Sequence, residues 1–332
     1  MNLTNFYKDI KEKKYSSVYF LTGDESFFID KIVATLEKNI LSSTEKEFNQ
    51  TTVYGADIDI PTLVATARRY PMMADYQVII VREAQGLKKL EELENYLKNP
   101  QPTTILIIAY KKDLDKRKTF YKTIQQKANL LECDKIKEYK LVEWISNFVQ
   151  EKQYTIQPKA ATMLAEFLGN DLAKINNELE KIYINIPAGT AITELEIEKY
   201  VGISKEYNAF EFQNAIMKKN KKQAYKIATY LGEHTKDYPF VMLLPLLYGM
   251  YIKIISYHAA AGIDSKEIAK TIGINPYFLK DYEQAVKLYP VNKCIQAIQT
   301  LKIADLQSKG MQPSTHQNDI QRLQELVFKL LH

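Results

Sequence analysis

The first place to look for chemistry in this sequence is the loop after the apolar run Ser17-Val18-Tyr19-Phe20-Leu21. That loop reads Leu21-Thr22-Gly23-Asp24-Glu25-Ser26-Phe27-Phe28. A phosphate-binding loop here needs several glycines, so that backbone N–H groups can wrap the phosphates, then a lysine and a Ser/Thr for Mg²⁺. One glycine is present, no Gly-Lys-Ser/Thr follows, and Asp24 and Glu25 would repel a triphosphate. The later hydrophobic strand that should end in a metal-binding acid pair ends instead in Val81-Arg82-Glu83. Two independent parts of an ATP site are wrong, which argues against ATP hydrolysis.

Other catalytic patterns are missing too. The sequence has no Gly-x-Ser-x-Gly, no His-Glu-x-x-His and no Cys-x-x-Cys. Cys133 and Cys294 lie far apart with no histidine near either, and His234, His258, His316 and His332 are scattered. That pattern excludes a disulfide scaffold and a Cys/His zinc site, and it fits a reducing cytoplasm. The acid pair Glu91-Glu92 reads as a solvated helix face. The expectation is a binding protein with no cofactor, no metal and no catalytic residue.

The elements around these residues follow from composition and period. The chain has 332 residues, enough for two or three domains, and its 11 Gly and 11 Pro are few for that length. Scarce Gly and Pro with abundant Leu, Ile, Lys and Glu favour helices. A net charge of +5 permits nucleic-acid contact without implying it. Acids and bases mix from Met1 onward, so no signal peptide is expected. Tyr238 to Ile252 is apolar but short, and it carries Pro239 and Pro245; a buried helix is the better reading than a membrane span.

Residues 1–138 alternate strand and helix signals. Strands are expected at Val18–Leu21, Thr51–Tyr54, Val78–Val81, Thr104–Ala109 and Asn129–Cys133. Several are continuous and β-branched, as in a parallel sheet buried on both faces. Helices are expected from Ile29 to Ile40, over Thr62–Tyr70, through Leu90, Leu93 and Leu97, and over Lys118–Lys127. The sum is a doubly wound α/β domain. Residues 139–207 show no convincing strand: Leu141, Ile145, Phe148 and Val149 share one helical face, and Leu172, Ile175, Leu179 and Ile182 another. Residues 208–332 are helical again, with the last helix over about 315–331.

An α/β domain followed by a small helical domain is the layout of AAA+ ATPases, here without a working phosphate loop. Val18-Tyr19-Phe20-Leu21-Thr22-Gly23-Asp24-Glu25 resembles the opening of the bacterial DNA polymerase III delta subunit family. Asp113-Leu114-Asp115-Lys116-Arg117-Lys118 resembles that family's basic stretch after the fourth strand, and Trp144 its usual tryptophan at the start of the second domain. Asp171-Leu172, Asn177-Glu178-Leu179-Glu180-Lys181 and Ala304-Asp305-Leu306-Gln307-Ser308-Lys309-Gly310 are similar to its later signatures. The matches run in order through all three regions.

The resemblance implies an AAA+-like α/β domain, a small helical lid and a helical collar that assembles the clamp loader. It implies gamma/tau and delta-prime subunits as neighbours, primed DNA inside the assembly and the beta sliding clamp as partner, with no membrane. The role implied is to bind and open the clamp as part of the DNA polymerase III holoenzyme, in the cytoplasm at replication forks, while neighbouring subunits bind ATP. The neighbours' Ser-Arg-Cys arginine finger has no counterpart in Leu131-Glu132-Cys133-Asp134. A delta-prime-like stator, which usually has zinc-binding cysteines, and an enzyme with a nucleotide site are the rival readings.

In the family the clamp is gripped by a hydrophobic pair between a helix end and the next strand of the first domain. The matching segment is Tyr70-Pro71-Met72-Met73, with Leu63 and Ala67 as support from the preceding helix. Pro71 would stop that helix. Read from the residues alone, Met72 and Met73 fit a cap on the domain's own core better, and only the family placement reverses that reading. Tyr277, Phe278 and Lys280, in a loop-to-helix turn, could stack on a base and reach a phosphate, or could be collar packing. The basic runs Lys218, Lys219, Lys221, Lys222 and Lys111, Lys112, Lys116, Arg117, Lys118 could follow phosphates inside the loader or be solvated helix faces.

Overall fold

Successive side chains of the central strands alternate between the two faces of the sheet. The computed structural model describes residues 3–204, 206–260, 265–313 and 318–332, so His316 lies outside the described residues. Strands β1 (Val18–Thr22), β2 (Gln50–Tyr54), β3 (Gln77–Arg82), β4 (Thr104–Tyr110) and β5 (Asn129–Glu132) form one parallel sheet. Their order is β2-β3-β4-β1-β5. Val18, Phe20, Ile79, Val81, Leu106 and Ile108 pack on one face. Their neighbours Tyr19, Leu21, Val78, Ile80, Ile105 and Ile107 pack on the other. Both faces are buried, which is why the strands read as continuous apolar runs.

Helices cover each face. On the second face lie α1 (Leu3–Lys11), through Phe6 and Ile10, and α2 (Ser26–Asn39), through Ile29, Val33 and Leu36. The short α3 (Ser43–Asn49), opened by a Ser42–Glu45 capping box, leads directly into β2. The first face takes α4 (Ile60–Ala67) through Leu63, α5 (Glu94–Lys98) through Leu97 and α6 (Thr119–Lys127) through Ile124. These elements form one compact unit, residues 1–136, and residues 137–332 form a second.

The second unit holds α7 (Glu138–Glu151), α8 (Pro158–Leu168), α9 (Leu172–Asn185) and α10 (Glu194–Val201). It continues with α11 (Ala209–Met217), α12 (Lys221–Glu233), α13 (Phe240–Ala259), α14 (Ser265–Thr271), α15 (Leu279–Leu288), α16 (Val291–Ser308) and α17 (Asp319–Leu331). Helix α13 is long and apolar enough to cross a membrane by length and composition. Here it is the central helix of a core, with Leu243, Leu247, Met250, Tyr251 and Ile254 buried. The segments expected to be lid and collar both fall within this unit.

Three expectations change. Residues 139–207 do contain strands: β6 (Thr155–Ile156) and β7 (Ala191–Ile192) pair in parallel. They have only two residues each, too short for a periodic signal. The helix expected through Leu90, Leu93 and Leu97 is a 3₁₀ turn at Leu90–Leu93 followed by α5. The helix expected over Thr62–Tyr70 spans Ile60–Ala67 and ends before Pro71, which was expected to stop it.

Candidate functional site

The connection from α4 to β3 is built by polar groups that end the helix early. Asp59 opens α4 by accepting a hydrogen bond from Thr62 N at 2.8 Å, and Pro61 sits in the first turn. The last carbonyls of a helix have no partner within it. Here two side chains that are register partners in the sheet, Gln77 and Thr104, supply the donors. Gln77 Nε2 lies 3.0 Å from both Thr66 O and Arg69 O, and Thr104 Oγ1 donates to Ala67 O at 2.8 Å. Leu63 and Ala67 point into the core, while Tyr70 lies beyond the helix and faces water.

The segment after it is held from the side. Asn49, the last residue of α3 and 5 % exposed, accepts a hydrogen bond from Met72 N at 2.6 Å. Its amide donates to Met72 O at 2.9 Å and to Glu45 O at 3.1 Å. One side chain thus satisfies both backbone groups of Met72. The apolar side chains themselves are in water: Tyr70 is 77 % exposed, Met72 63 %, and Met73 fully exposed. Met73 has φ +53°, in the left-handed region that costs a side-chain-bearing residue about 1–2 kcal/mol. Met72 and Met73 do not cap the domain's own core. A strained backbone that presents an unbranched apolar side chain to solvent fits a docking contact better than a folding contact.

The loop after β1 is the opposite case. In a phosphate cradle its N–H groups would face a ligand. Here Gly23 N donates to Lys112 O at 3.1 Å and Glu25 N to Cys133 O at 2.9 Å. Phe27 N donates to the Glu25 carboxylate at 3.2 Å, so α2 carries its own acid cap. Cys133 backbone fills the space beside Gly23, where an added Cβ would lie 2.2 Å from Cys133 O. Burial pushes the Cys133 thiol up to about 12, so it stays protonated and unreactive.

The charges at the C-terminal ends of β3 and β4 are also engaged within the chain. Lys111 Nζ pairs with Asp30 at 3.0 Å and Glu83 at 2.8 Å. The hydrogen bond from Lys111, with one from Gln85, holds the Glu83 carboxyl below the usual carboxylate range. Asp113 is pushed up, first by desolvation and then by the charges of Asp24 and Asp134. Among the described residues, no three acids, histidines or cysteines converge to hold a metal ion.

The basic runs are largely paired. Lys116 meets Glu132, Arg117 meets Asp115 and Lys118 meets Glu91. Lys218 meets Asp281, Lys219 lies 4.6 Å over the Tyr289 ring, and Lys221 reaches His332. Tyr277 and Phe278 form a 3₁₀ turn with Pro276, just before α15. Tyr277 is exposed, and so is Lys280 in the first turn of α15. Phe278 instead packs on the core, edge-on to Phe210 at 5.4 Å. The structure therefore brings Tyr277 and Lys280 to the surface and keeps Phe278 as their support.

The sequence profile of the family described as DNA polymerase III, delta subunit, matches residues 19–134. A second profile, for the C-terminal domain of the DNA polymerase III delta subunit, matches residues 206–326, so the two span most of the chain. The chain belongs to the DNA polymerase III delta subunit family. The Bacillus subtilis (strain 168) DNA polymerase III subunit delta is 25 % identical over 334 residues, covering 97 % of this chain and 94 % of that protein. The solved structure of the Bacillus subtilis DNA clamp loader delta protein superposes with a TM-score of 0.59 at 22 % identity, covering 99 % of each chain. That likeness extends the shared fold across both units.

The family resemblance singled out Tyr70, Pro71, Met72 and Met73 as one segment, and the structure leaves Tyr70, Met72 and Met73 exposed and Pro71 half-buried. Sequence reasoning missed Asn49 altogether. Asn49 lies 23 positions before Met72, and a polar residue closing a short helix carries no signal of so distant a partner. The roles of Gln77 and Thr104 were hidden for the same reason, inside strands read only for their apolar residues.

Proposed function

We propose that the chain acts in DNA replication as the clamp-loader subunit that binds and opens the sliding clamp without hydrolysing ATP itself. Family membership supports the setting, and the Bacillus subtilis relative of like fold is named a DNA clamp loader protein. The observation that carries the grip is the pair Met72-Met73, exposed at the tip of the α4–β3 connection with Met73 in the left-handed region. Burying each methionine in an apolar clamp pocket would contribute about 1.5–3 kcal/mol. Tyr70 and Pro71 flank the pair and would frame the contact.

Binding opens a ring only if it favours the open form over the closed one. The methionine pair anchors the clamp, and the rest of the α/β domain holds the open interface apart. The engaged amides of the Gly23–Phe27 loop and the Lys111 ion pairs favour a subunit that takes no nucleotide of its own. Gamma/tau and delta-prime neighbours would supply ATP binding. Residues 139–207 and 208–332 would work as lid and collar, with Tyr277 and Lys280 open to primed DNA in the assembled, cytoplasmic complex.

The test is release of a clamp already loaded on circular DNA. The purified chain, without ATP, should accelerate clamp release from closed circles. Clamp binding with no acceleration would leave a grip without opening. No binding by a monodisperse sample would sink the proposal.

A further inference from the structure

Asn49 commits its whole side-chain amide, and two of its three hydrogen bonds go to a single residue 23 positions away. A buried amide must pair both N–H groups and its oxygen, so burial explains that three bonds exist, and the choice of partner is what informs. Here both amide protons are engaged, by Glu45 O and Met72 O, and its oxygen takes Met72 N–H. That arrangement fixes which way the amide points, because the reverse would set a donor against N–H and an acceptor against two carbonyls. Asn49 grips Met72 as a neighbouring strand would, by both backbone groups at once. The next residue is Met73, with φ +53° and no buried contact to hold it there. Something outside Met73 must oppose its strain, and the bonds to the preceding residue are the restraint the structure provides.

We infer that Asn49 is a positioning residue for the clamp grip, holding the Met72-Met73 tip in its binding shape before the partner arrives. The inference rests on the reading of Met72 and Met73 as the contact itself. Freed from Asn49, Met72 N–H and C=O turn to water and Met73 relaxes to negative φ. Both side chains then leave the docking geometry for part of the time. Apparent affinity falls in proportion to the fraction that stays competent. A population effect of this kind lowers the association rate. Loss of a contact acts mainly on the dissociation rate.

The experiment follows binding of the full chain to the immobilised sliding clamp of its own organism, without ATP. The variants are Asn49→Ala, the pair Met72→Ala/Met73→Ala, and all three changes together. Asn49→Ala should weaken binding on the order of tenfold, chiefly in the association rate. In the methionine-free background the same change should add nothing, because Asn49 acts only through that tip. Hydrogen exchange gives a local readout: the Met72 amide should lose protection in Asn49→Ala while Ile79, Ile80 and Val81 keep theirs. If Asn49→Ala does not fold, Asn49→Asp, which keeps an acceptor but repels Met72 O, carries the same rate test. Parent-like association by Asn49→Ala, with binding still lost in the methionine pair, overturns the role of Asn49 and leaves the grip standing. Parent-like binding by the methionine pair overturns the grip and this inference together.

Discussion

Two connections of the same α/β unit sit only a few residues from their strands and behave in opposite ways. The loop after β1 has its amides engaged by Lys112 O, Cys133 O and the Glu25 carboxylate, and its one glycine is locked against Cys133. The connection from α4 to β3 has the Met72 backbone and the carbonyls of Thr66, Ala67 and Arg69 bound by Asn49, Gln77 and Thr104, yet it leaves Tyr70, Met72 and Met73 in water. In the first, polar satisfaction closes the site to a ligand. In the second, polar satisfaction of the backbone leaves apolar side chains in water. A site is thus recognised by what remains unsatisfied once the chain's own hydrogen bonds are counted.

Glycine substitutions at the two places should have opposite signs, and the larger effect belongs to the closed loop. Gly23→Ala sets a Cβ against Cys133 backbone at φ +131° and should destabilise the unit by about 2–4 kcal/mol in urea unfolding. Gly23→Ala without effect would mean that the loop is loose enough to rearrange around a ligand. Replacing Lys111 by Met comes next. It strips the shared partner from Asp30 and Glu83 and should cost about 1 kcal/mol, since both acids are partly solvated.

That ion pair also sets a pH dependence. The folded-state pKa of Glu83 is lowered, so its contribution is present above the usual carboxylate range and is lost as pH falls through the depressed value. The acid limb of unfolding should therefore flatten in Glu83→Gln. An unchanged limb would place the pairing in the structure alone and not in its energetics.

How much of this was readable in advance depends on the range of the interaction. The β-branched runs Val78–Val81 and Thr104–Ala109 announced a sheet buried on both sides, and the apolar spacing of α7 and α9 announced their buried faces. Helix α3 has only seven residues, and its period is too brief to stand out. The end of α4 was misjudged because Pro71 is a local stop signal, whereas the true stop is Gln77 and Thr104 capturing carbonyls from across the sheet. The methionine pair was legible as a segment through family resemblance. Its exposure was not, because a cap on the core and a docking tip share one composition.

Met73→Gly is the smaller counterpart of the Gly23 test. It relieves the left-handed strain and should hold or raise stability, by up to about 1 kcal/mol, while weakening clamp binding. A loss of stability would mean that Met73 contributes to its own unit after all. Smallest of all, Asp113→Asn removes a carboxyl whose pKa is raised by desolvation and by Asp24 and Asp134. Folding disfavours its charge, so the change should be mildly stabilising at neutral pH, within about 0.5 kcal/mol.

The most direct measurement of the central claim is calorimetric titration of the sliding clamp, without ATP, into the parent chain and into Met72→Ala/Met73→Ala. Both proteins should unfold at the same urea concentration, because neither methionine is buried. The parent should bind with a clearly negative heat-capacity change, and the variant should lose most of the affinity and most of that change. Equal affinity and equal heat capacity in the two would contradict the account, since the apolar tip would then be bystander surface.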